Sequence, residues 1–358
     1  MTEEKIFEGY HCPACRAAIE KQENGLACPG CRSAFAARDG VPDFIGEDKK
    51  DGWRADEKET ELVRIAREAG WREAVRRVFG GSRTEAWITD NSRGNGCLLT
   101  SINRDSVVLD AGCGCGVISF FLADYCKEVH CADSLFEYLE FIRLRAGQDG
   151  VGNVFPVRSG LMALPFGENS FDLIVLNGVL EHIPCFYKED EPRAVQVRLL
   201  KKFAGLLRPG GEIYLGIENR FGLKYFMGAA DEHTGMRFVT VLPRKLADFY
   251  SRIVRGRPFR EYTHSYAGLR KMFAEAGFTI KKTCMPVKDY RDMKLLGDID
   301  DPALFPFMLK LAEKRMGRSG RDLFFTKLGR LACLLGLHRI HLHRFFSHSF
   351  SIVAEKMR

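Results

Sequence analysis

Val107-Val108-Leu109-Asp110-Ala111-Gly112-Cys113-Gly114-Cys115-Gly116 reads as a buried strand that runs into glycines at every second position, with an apolar helical segment, 117–126, behind it. Glycine in such a strand-to-helix turn lets the backbone bend tightly and lets a ligand press against main-chain N–H groups at the helix start. The spacing is GxGxG, with Asp110 two positions ahead of Gly112, where dinucleotide turns carry GxGxxG. A carboxylate inside the turn would repel a pyrophosphate, whereas it suits a ligand with an amino group and a positive centre. The next apolar run ends Val129-His130-Cys131-Ala132-Asp133, which places Asp133 where it can accept both hydroxyls of a ribose.

Outward from this turn, short apolar runs alternate with helical stretches. SVVLDAG, EVHCADS, GNVFPV, FDLIVLN and GEIYLGI read as strands, and segments near 117–126, 135–147 and 193–207 as helices. The alternation predicts an α/β fold, a Rossmann-like doubly wound and mostly parallel sheet covered on both faces. Beyond it come a Gly/Pro-punctuated stretch to about 260, a helix at 266–276 stopped by Gly277, a strand at 278–285, a basic helical region at 303–346 and a closing strand, SFSIVAEK. Ahead of it, residues 45–60 read as a charged linker, and 60–105 as helical, with a second helical segment around 86–102. The expected organisation is therefore 1–44, a small metal-binding module; 45–105, linker and helices; 106–290, the α/β core; and 291–358, a helical insertion with the closing strand.

Composition sets the outer limits. Of 358 residues, 46% are hydrophobic and 28% charged, which excludes wholesale disorder and coiled coil. The net charge of +7 sets 54 basic against 47 acidic residues, too mild a balance for a chain built to coat nucleic acid. No run approaches the ~20 apolar residues needed to span a bilayer, and the N-terminal segment has no signal-peptide core, so a cytoplasmic protein is the expectation.

Four of the twelve cysteines form two tight pairs, Cys12-Pro13-Ala14-Cys15 and Cys28-Pro29-Gly30-Cys31, twelve residues apart. Two residues between cysteines let both thiolates face one ion, and two such knuckles complete a tetrahedral shell, for which structural Zn2+ is the fitting metal. A redox CxxC normally appears once, at a helix start. So short a segment buries little apolar surface, so the ion should supply much of its stability. A closed four-cysteine shell is architectural, and its removal is expected to leave the core's ligand site intact. His11 reads as a bystander.

At the glycine turn the sequence resembles the class I S-adenosylmethionine-dependent methyltransferases, over roughly 105–285. Ala163-Leu164-Pro165-Phe166 with Asn169-Ser170-Phe171-Asp172-Leu173-Ile174 is similar to that family's loop and fourth strand. Asn177-Gly178-Val179-Leu180-Glu181-His182 resembles the segment that lines the cofactor and faces the acceptor, and Leu207-Arg208-Pro209-Gly210-Gly211 the turn before the fifth strand. The resemblance implies S-adenosylmethionine bound by Asp110, Ala111, Gly112, Cys113, Gly114, Gly116, Asp133, Ser134, Gly160, Leu161, Asn177 and Gly178. Where many members carry an acidic residue for the adenine amino group, this chain reads Arg158-Ser159-Gly160-Leu161, leaving backbone contacts to serve.

Methyl transfer from a sulfonium is mainly a matter of alignment and water exclusion, with a general base needed only when the acceptor must shed a proton early. The candidate bases are His182, after the fourth strand; His233, in the polar insertion that opens Glu218-Asn219-Arg220-Phe221-Gly222 and continues to Asp231-Glu232-His233-Thr234-Gly235; and His264, in Tyr262-Thr263-His264-Ser265-Tyr266. His233 is the preferred one. Residues 308–347 hold nine Lys/Arg against Glu313 and Asp322, which fits an amphipathic helix packed on the domain, a membrane-surface helix, or a nucleic-acid contact. The leading expectation is methyl transfer to a hydroxyl or amine of a small-molecule or glycan-type acceptor. The alternatives are rRNA or tRNA base methylation, and a non-catalytic zinc-ribbon interaction protein on a Rossmann-like scaffold.

Overall fold

The computed structural model describes residues 9–22, 25–45, 55–286, 290, 291, 293–315, 327, 330, 331, 333–336, 339, 341 and 343–357. The strands are β1 (Glu20–Gln22), β2 (Gly25–Ala27), β3 (Ala34–Arg38), β4 (Val41–Asp43), β5 (Val107–Ala111), β6 (Glu128–Asp133), β7 (Val154–Arg158), β8 (Phe171–Asn177), β9 (Leu207–Glu218), β10 (Phe278–Pro286), β11 (Leu296–Asp298) and β12 (Ser349–Lys356). Among the described residues they join in the order β1-β2-β3-β4-β7-β6-β5-β8-β9-β12-β10-β11. From β7 through β9 every pairing is parallel, and β12 inserts antiparallel between β9 and β10. The strand order reverses direction between β5 and β8, which is where a doubly wound sheet opens a crevice.

Successive side chains along β5 and β8 feed opposite layers, as the unbroken apolar runs require. Leu109, Ala111, Ile174 and Leu176 pack with Leu199 and Phe203 of α6 (Pro192–Leu206) and with Met272 and Phe273 of α9 (Tyr266–Glu275). Val108, Leu173 and Val175 pack with Ile118 and Leu122 of α4 (Val117–Ala123) and with Leu139 and Ile142 of α5 (Phe136–Asp149). A further layer, α1 (Glu57–Ala69) and α2 (Trp71–Phe79), closes over Phe141 of α5. The second helical segment expected near 86–102 is instead a short α3 (Arg83–Thr89) followed by a 3₁₀ stretch over Asn91–Leu99. Asn91-Ser92-Arg93-Gly94-Asn95-Gly96 supplies too many poor helix formers to carry an α-helix.

The cysteine-bearing segment is joined to the core. Its β3–β4 hairpin adds to the sheet edge, with β4 meeting β7 in parallel at Asp43 and Arg158. Tyr10, Leu26 and Phe44 fall in the same apolar cluster as Leu164 and Phe166, so one hydrophobic core runs through both parts. Arg16, held at positive φ in the first knuckle, donates to the carbonyls of Leu164 and Phe166. Arg158 Nη1 meets the buried Asp43 carboxylate at 2.8 Å. A module this small has no adequate core of its own, and the exposed edge of β7 supplies one.

Between β9 and α9 lie α7 (Leu223–Phe226) and α8 (Arg244–Arg255), and α10 (Leu304–Arg315) follows β11. The basic region 308–347, expected to be a surface, membrane or nucleic-acid helix, falls largely outside the described residues. The closing strand stands at Ser349–Lys356, where the sequence placed it. No helix among the described residues is long and apolar enough to cross a membrane.

Candidate functional site

β5, β6, β7, β8 and β9 all end on one edge of the sheet, so Gly112, Asp133, Gly160, Gly178 and Glu218 meet around the crevice at the reversal point. There a cleft of about 560 Å³ opens, lined by Gly112, Gly114, Asp133, Ser134, Gly160, Leu161 and Gly178 among the residues anticipated from sequence. Asp110, Ala111 and Asn177 are buried behind that wall, and Cys113 and Gly116 shape the turn through a Gly116 N–H bond to the Cys113 carbonyl at 3.0 Å.

The turn's glycines have different tasks. Gly112 has φ +77° and a Cβ there would stand 2.6 Å from Val179 Cγ2, so the position must be bare for the turn to pack on the segment after β8. Gly114 has φ +51° and no protein atom within 4 Å of a Cβ position, so it leaves space on the cleft side. The Gly114 and Leu135 N–H groups both donate to the Asp133 carboxylate, each at 3.0 Å. Asp133 is thereby held at the cleft wall, with burial pushing its pKa upward. Asp110 accepts from Ser119 Oγ at 2.6 Å, tying the strand end to the first turn of α4, and burial pushes its pKa up to about 6.

Arg158, which stands where many class I members carry an acidic residue, turns away from the cleft, donating to Asp43 and, at 3.0 Å, to the Ser134 carbonyl. The neighbouring wall is made by Ser159, Gly160, Leu161 and Met162. Three further cleft residues, Asp56, Glu59 and Tyr138, are not among those anticipated from sequence. Asp56 and Glu59 form a capping box at the start of α1, and Tyr138 of α5 donates to Glu59 Oε1 at 3.1 Å. The DxxE cap is visible in sequence; that this helix start forms a cleft rim depends on how α1 packs on α5. A glycine cradle, open space beside Gly114 and Gly160, and a carboxylate at the end of β6 together fit the nucleoside and amino-acid parts of S-adenosylmethionine.

At one end of the cleft lies a buried polar cluster. His182 lines the cleft, and its ring stands edge-on to His233, with centroids 4.6 Å apart. His233 is carried there by a turn in which Asp231 Oδ2 accepts from both the N–H and the hydroxyl of Thr234. Its Nε2 is 3.6 Å from Glu218 Oε2 and 3.9 Å from Glu181 Oε1. Burial and the Glu218 charge push Glu181 up to about 8, while burial and the neighbouring His233 pull His182 down to about 4. Burial opposes the charged form of His233, but the two carboxylates outweigh it and raise that ring to about 9. Sequence singled out His182 and His233 separately; the contribution of Glu181 and Glu218, each embedded in an apolar run, had no local signal. His264 does not join them. Its Nε2 meets Gln196 Oε1 at 2.7 Å inside the protein, burial pulls its pKa down to about 3, and it is a packing residue.

The four cysteines Cys12, Cys15, Cys28 and Cys31 converge, with their sulfurs all within 4.8 Å of one another and the cross-knuckle pairs 3.5 and 3.3 Å apart. All four are free thiols. A tetrahedral shell with metal–sulfur bonds of ~2.3 Å spaces its sulfurs by about 3.8 Å, so the set fits one metal ion.

Residues 109–215 match a family profile described as a methyltransferase domain. Curated proteins similar to the chain include a ubiquinone biosynthesis O-methyltransferase of Xanthomonas euvesicatoria, 32% identical over 113 residues, covering 32% of this chain and 43% of that protein. Another of the same name, from Citrobacter koseri, is 26% identical over 132 residues, 37% of this chain and 50% of that protein. The chain thus spans half or less of the length of these relatives. A solved putative methyltransferase from Bacillus halodurans is 15% identical at a TM-score of 0.42, covering 75% of this chain and 100% of that one. The similarity to methyltransferase domains thus covers residues 109–215, the stretch that holds the glycine turn, Asp133 and the segment after β8.

Proposed function

We propose that this protein is a cytoplasmic S-adenosylmethionine-dependent methyltransferase that acts on a hydroxyl or amine of a small-molecule or glycan-type acceptor, with structural Zn2+ in the four-cysteine shell. The observation that carries the reading is the cleft at the sheet's reversal point, with Gly114 open to it and Asp133 pinned at its wall, beside a buried cluster of two histidines and two carboxylates. Relatives named as O-methyltransferases favour oxygen as the accepting atom.

The cofactor brings a methyl group already activated on a sulfonium, so the chain's residues have to bind, align and exclude water. Asp133 and the backbone around Gly112, Gly114, Gly160 and Leu161 would hold the nucleoside, and Asp110, behind the turn, supplies negative charge toward the amino-acid part. His182, on the cleft wall, faces the acceptor end, and Glu181, Glu218 and His233 stand behind it. Calorimetric titration with S-adenosylmethionine tests the first half of the reading; absence of heat would leave a non-catalytic scaffold standing. A screen of hydroxyl and amine acceptors with labelled methyl donor tests the second half.

A further inference from the structure

The cluster at the acceptor end has the composition of a metal shell. Glu181 is 0% exposed and Glu218 1%, and among the described residues neither carboxylate nor His233 Nε2 has a partner at hydrogen-bond distance. Five buried polar atoms in that condition would each cost on the order of 1–3 kcal/mol or more. Their spacing is informative. His233 Nε2 lies 3.6 Å from Glu218 and 3.9 Å from Glu181, and His182 Nε2 lies 4.0 Å from Glu181. Direct N–H···O bonds would bring such pairs to ~2.7–3.2 Å. One ion bound at ~2.0–2.2 Å from each donor sets them about 3.0–3.6 Å apart, within a small rotamer adjustment of the arrangement seen. One donor atom each from Glu181, His182 and His233 already fits inside a 4.8 Å span.

We propose that Glu181, His182, Glu218 and His233 bind a divalent transition-metal ion at the acceptor end of the cleft, where it holds an oxygen acceptor by its hydroxyl. Two carboxylates and two neutral imidazoles balance a divalent charge, and a mixed nitrogen–oxygen set suits ions such as Zn2+, Mn2+ or Co2+ better than Ca2+ or Mg2+. The shell draws on three separate segments: the turn after β8, the end of β9, and the 231–234 turn. His182 is the member on the cleft wall, so the site opens on the side where an acceptor enters. Coordination there would favour loss of the hydroxyl proton to solvent before the oxygen attacks the methyl carbon, as the S–CH3 bond of the donor breaks and its electron pair returns to sulfur, leaving the thioether product. The inference rests on the proposed methyltransferase role of the cleft.

Mn2+ is the suitable probe on the purified full chain, because oxygen and nitrogen donors hold it and a four-thiolate shell does not favour it. Loss of the free-ion paramagnetic resonance signal should report one bound ion in wild type, with affinity weakened about tenfold or more in Glu181→Gln and in His233→Asn. Calorimetric S-adenosylmethionine binding should persist in both variants. Wild type that takes up no Mn2+, or variants that bind it as wild type does, would overturn the proposal in favour of a proton-sharing cluster. Retained Mn2+ binding with no S-adenosylmethionine heat in wild type would instead sink the reading of the cleft. If circular dichroism shows Glu181→Gln unfolded, His182→Asn on the partly exposed rim makes the same comparison.

Discussion

Asp110→Asn separates what the buried carboxylate costs the fold from what it does for a ligand. Asp110 is 3% exposed and takes a hydrogen bond from Ser119 Oγ at 2.6 Å, and its pKa rises, chiefly through burial, to about 6. In the unfolded chain the group ionises near ~3.9, so its contribution to stability is complete below about pH 4 and is lost as pH rises through about 6. A rise from ~3.9 to about 6, at ~1.36 kcal/mol per pH unit, places the loss at ~3 kcal/mol near pH 7.5. Asparagine keeps the shape and can accept the same Ser119 hydroxyl without a charge. Urea denaturation of the ligand-free proteins should therefore show equal stability near pH 4 and a variant more stable by ~3 kcal/mol near pH 7.5. Cofactor binding should run the other way. Wild-type affinity for S-adenosylmethionine, measured by calorimetry, should climb through about pH 6 as the carboxylate ionises, and the variant should lack that climb. A variant no more stable at neutral pH, or one that binds with unchanged affinity, would refute the reasoning.

Four other outcomes are expected. Gly114→Ala should cost the fold only about 1–2 kcal/mol of left-handed backbone strain, because nothing crowds its Cβ, yet weaken S-adenosylmethionine binding by calorimetry. Gly112→Ala, driven into Val179, should lower the melting temperature more than Gly114→Ala does. Arg158→Ala withdraws a guanidinium from the buried Asp43 and from the Ser134 carbonyl, so it should destabilise by about 3 kcal/mol in denaturant and expose the cysteine segment to limited proteolysis. A chelator that strips the Zn2+ proposed for the four cysteines should unfold that same segment and weaken cofactor binding, since Arg16 anchors it to the loop carbonyls of Leu164 and Phe166. Unchanged affinity after chelation would show that the ribbon and the cleft are uncoupled, as expected of a closed, architectural four-cysteine shell.

Much of the scaffold is written in local patterns. The alternation of apolar runs and helices marked β5 through β9, and the SFSIVAEK run marked β12, because a strand buried on both faces needs continuous hydrophobicity wherever it lies in the chain. The Asp110–Gly116 turn was legible for the same reason: positive φ and close approach admit little but glycine, so the backbone geometry appears in the residue type. The cysteine pairs were legible because two-residue spacing fixes the geometry of each knuckle. What sequence could not order is the meeting of distant segments. Nothing in the FDLIVLN or GEIYLGI runs tells that Glu181 and Glu218 will share a buried pocket with His233, while His264, equally suggestive in sequence, is drawn into the core by Gln196. Nor does the spacing of Cys12 to Cys31 tell that their hairpin will complete the edge of β7. Local spacing determined the elements, the glycine turn and the cysteine knuckles. Sheet order, and the path of the chain leaving each strand end, decided which charges face one another, because electrostatic coupling falls with distance in space, and separation along the sequence does not set that distance.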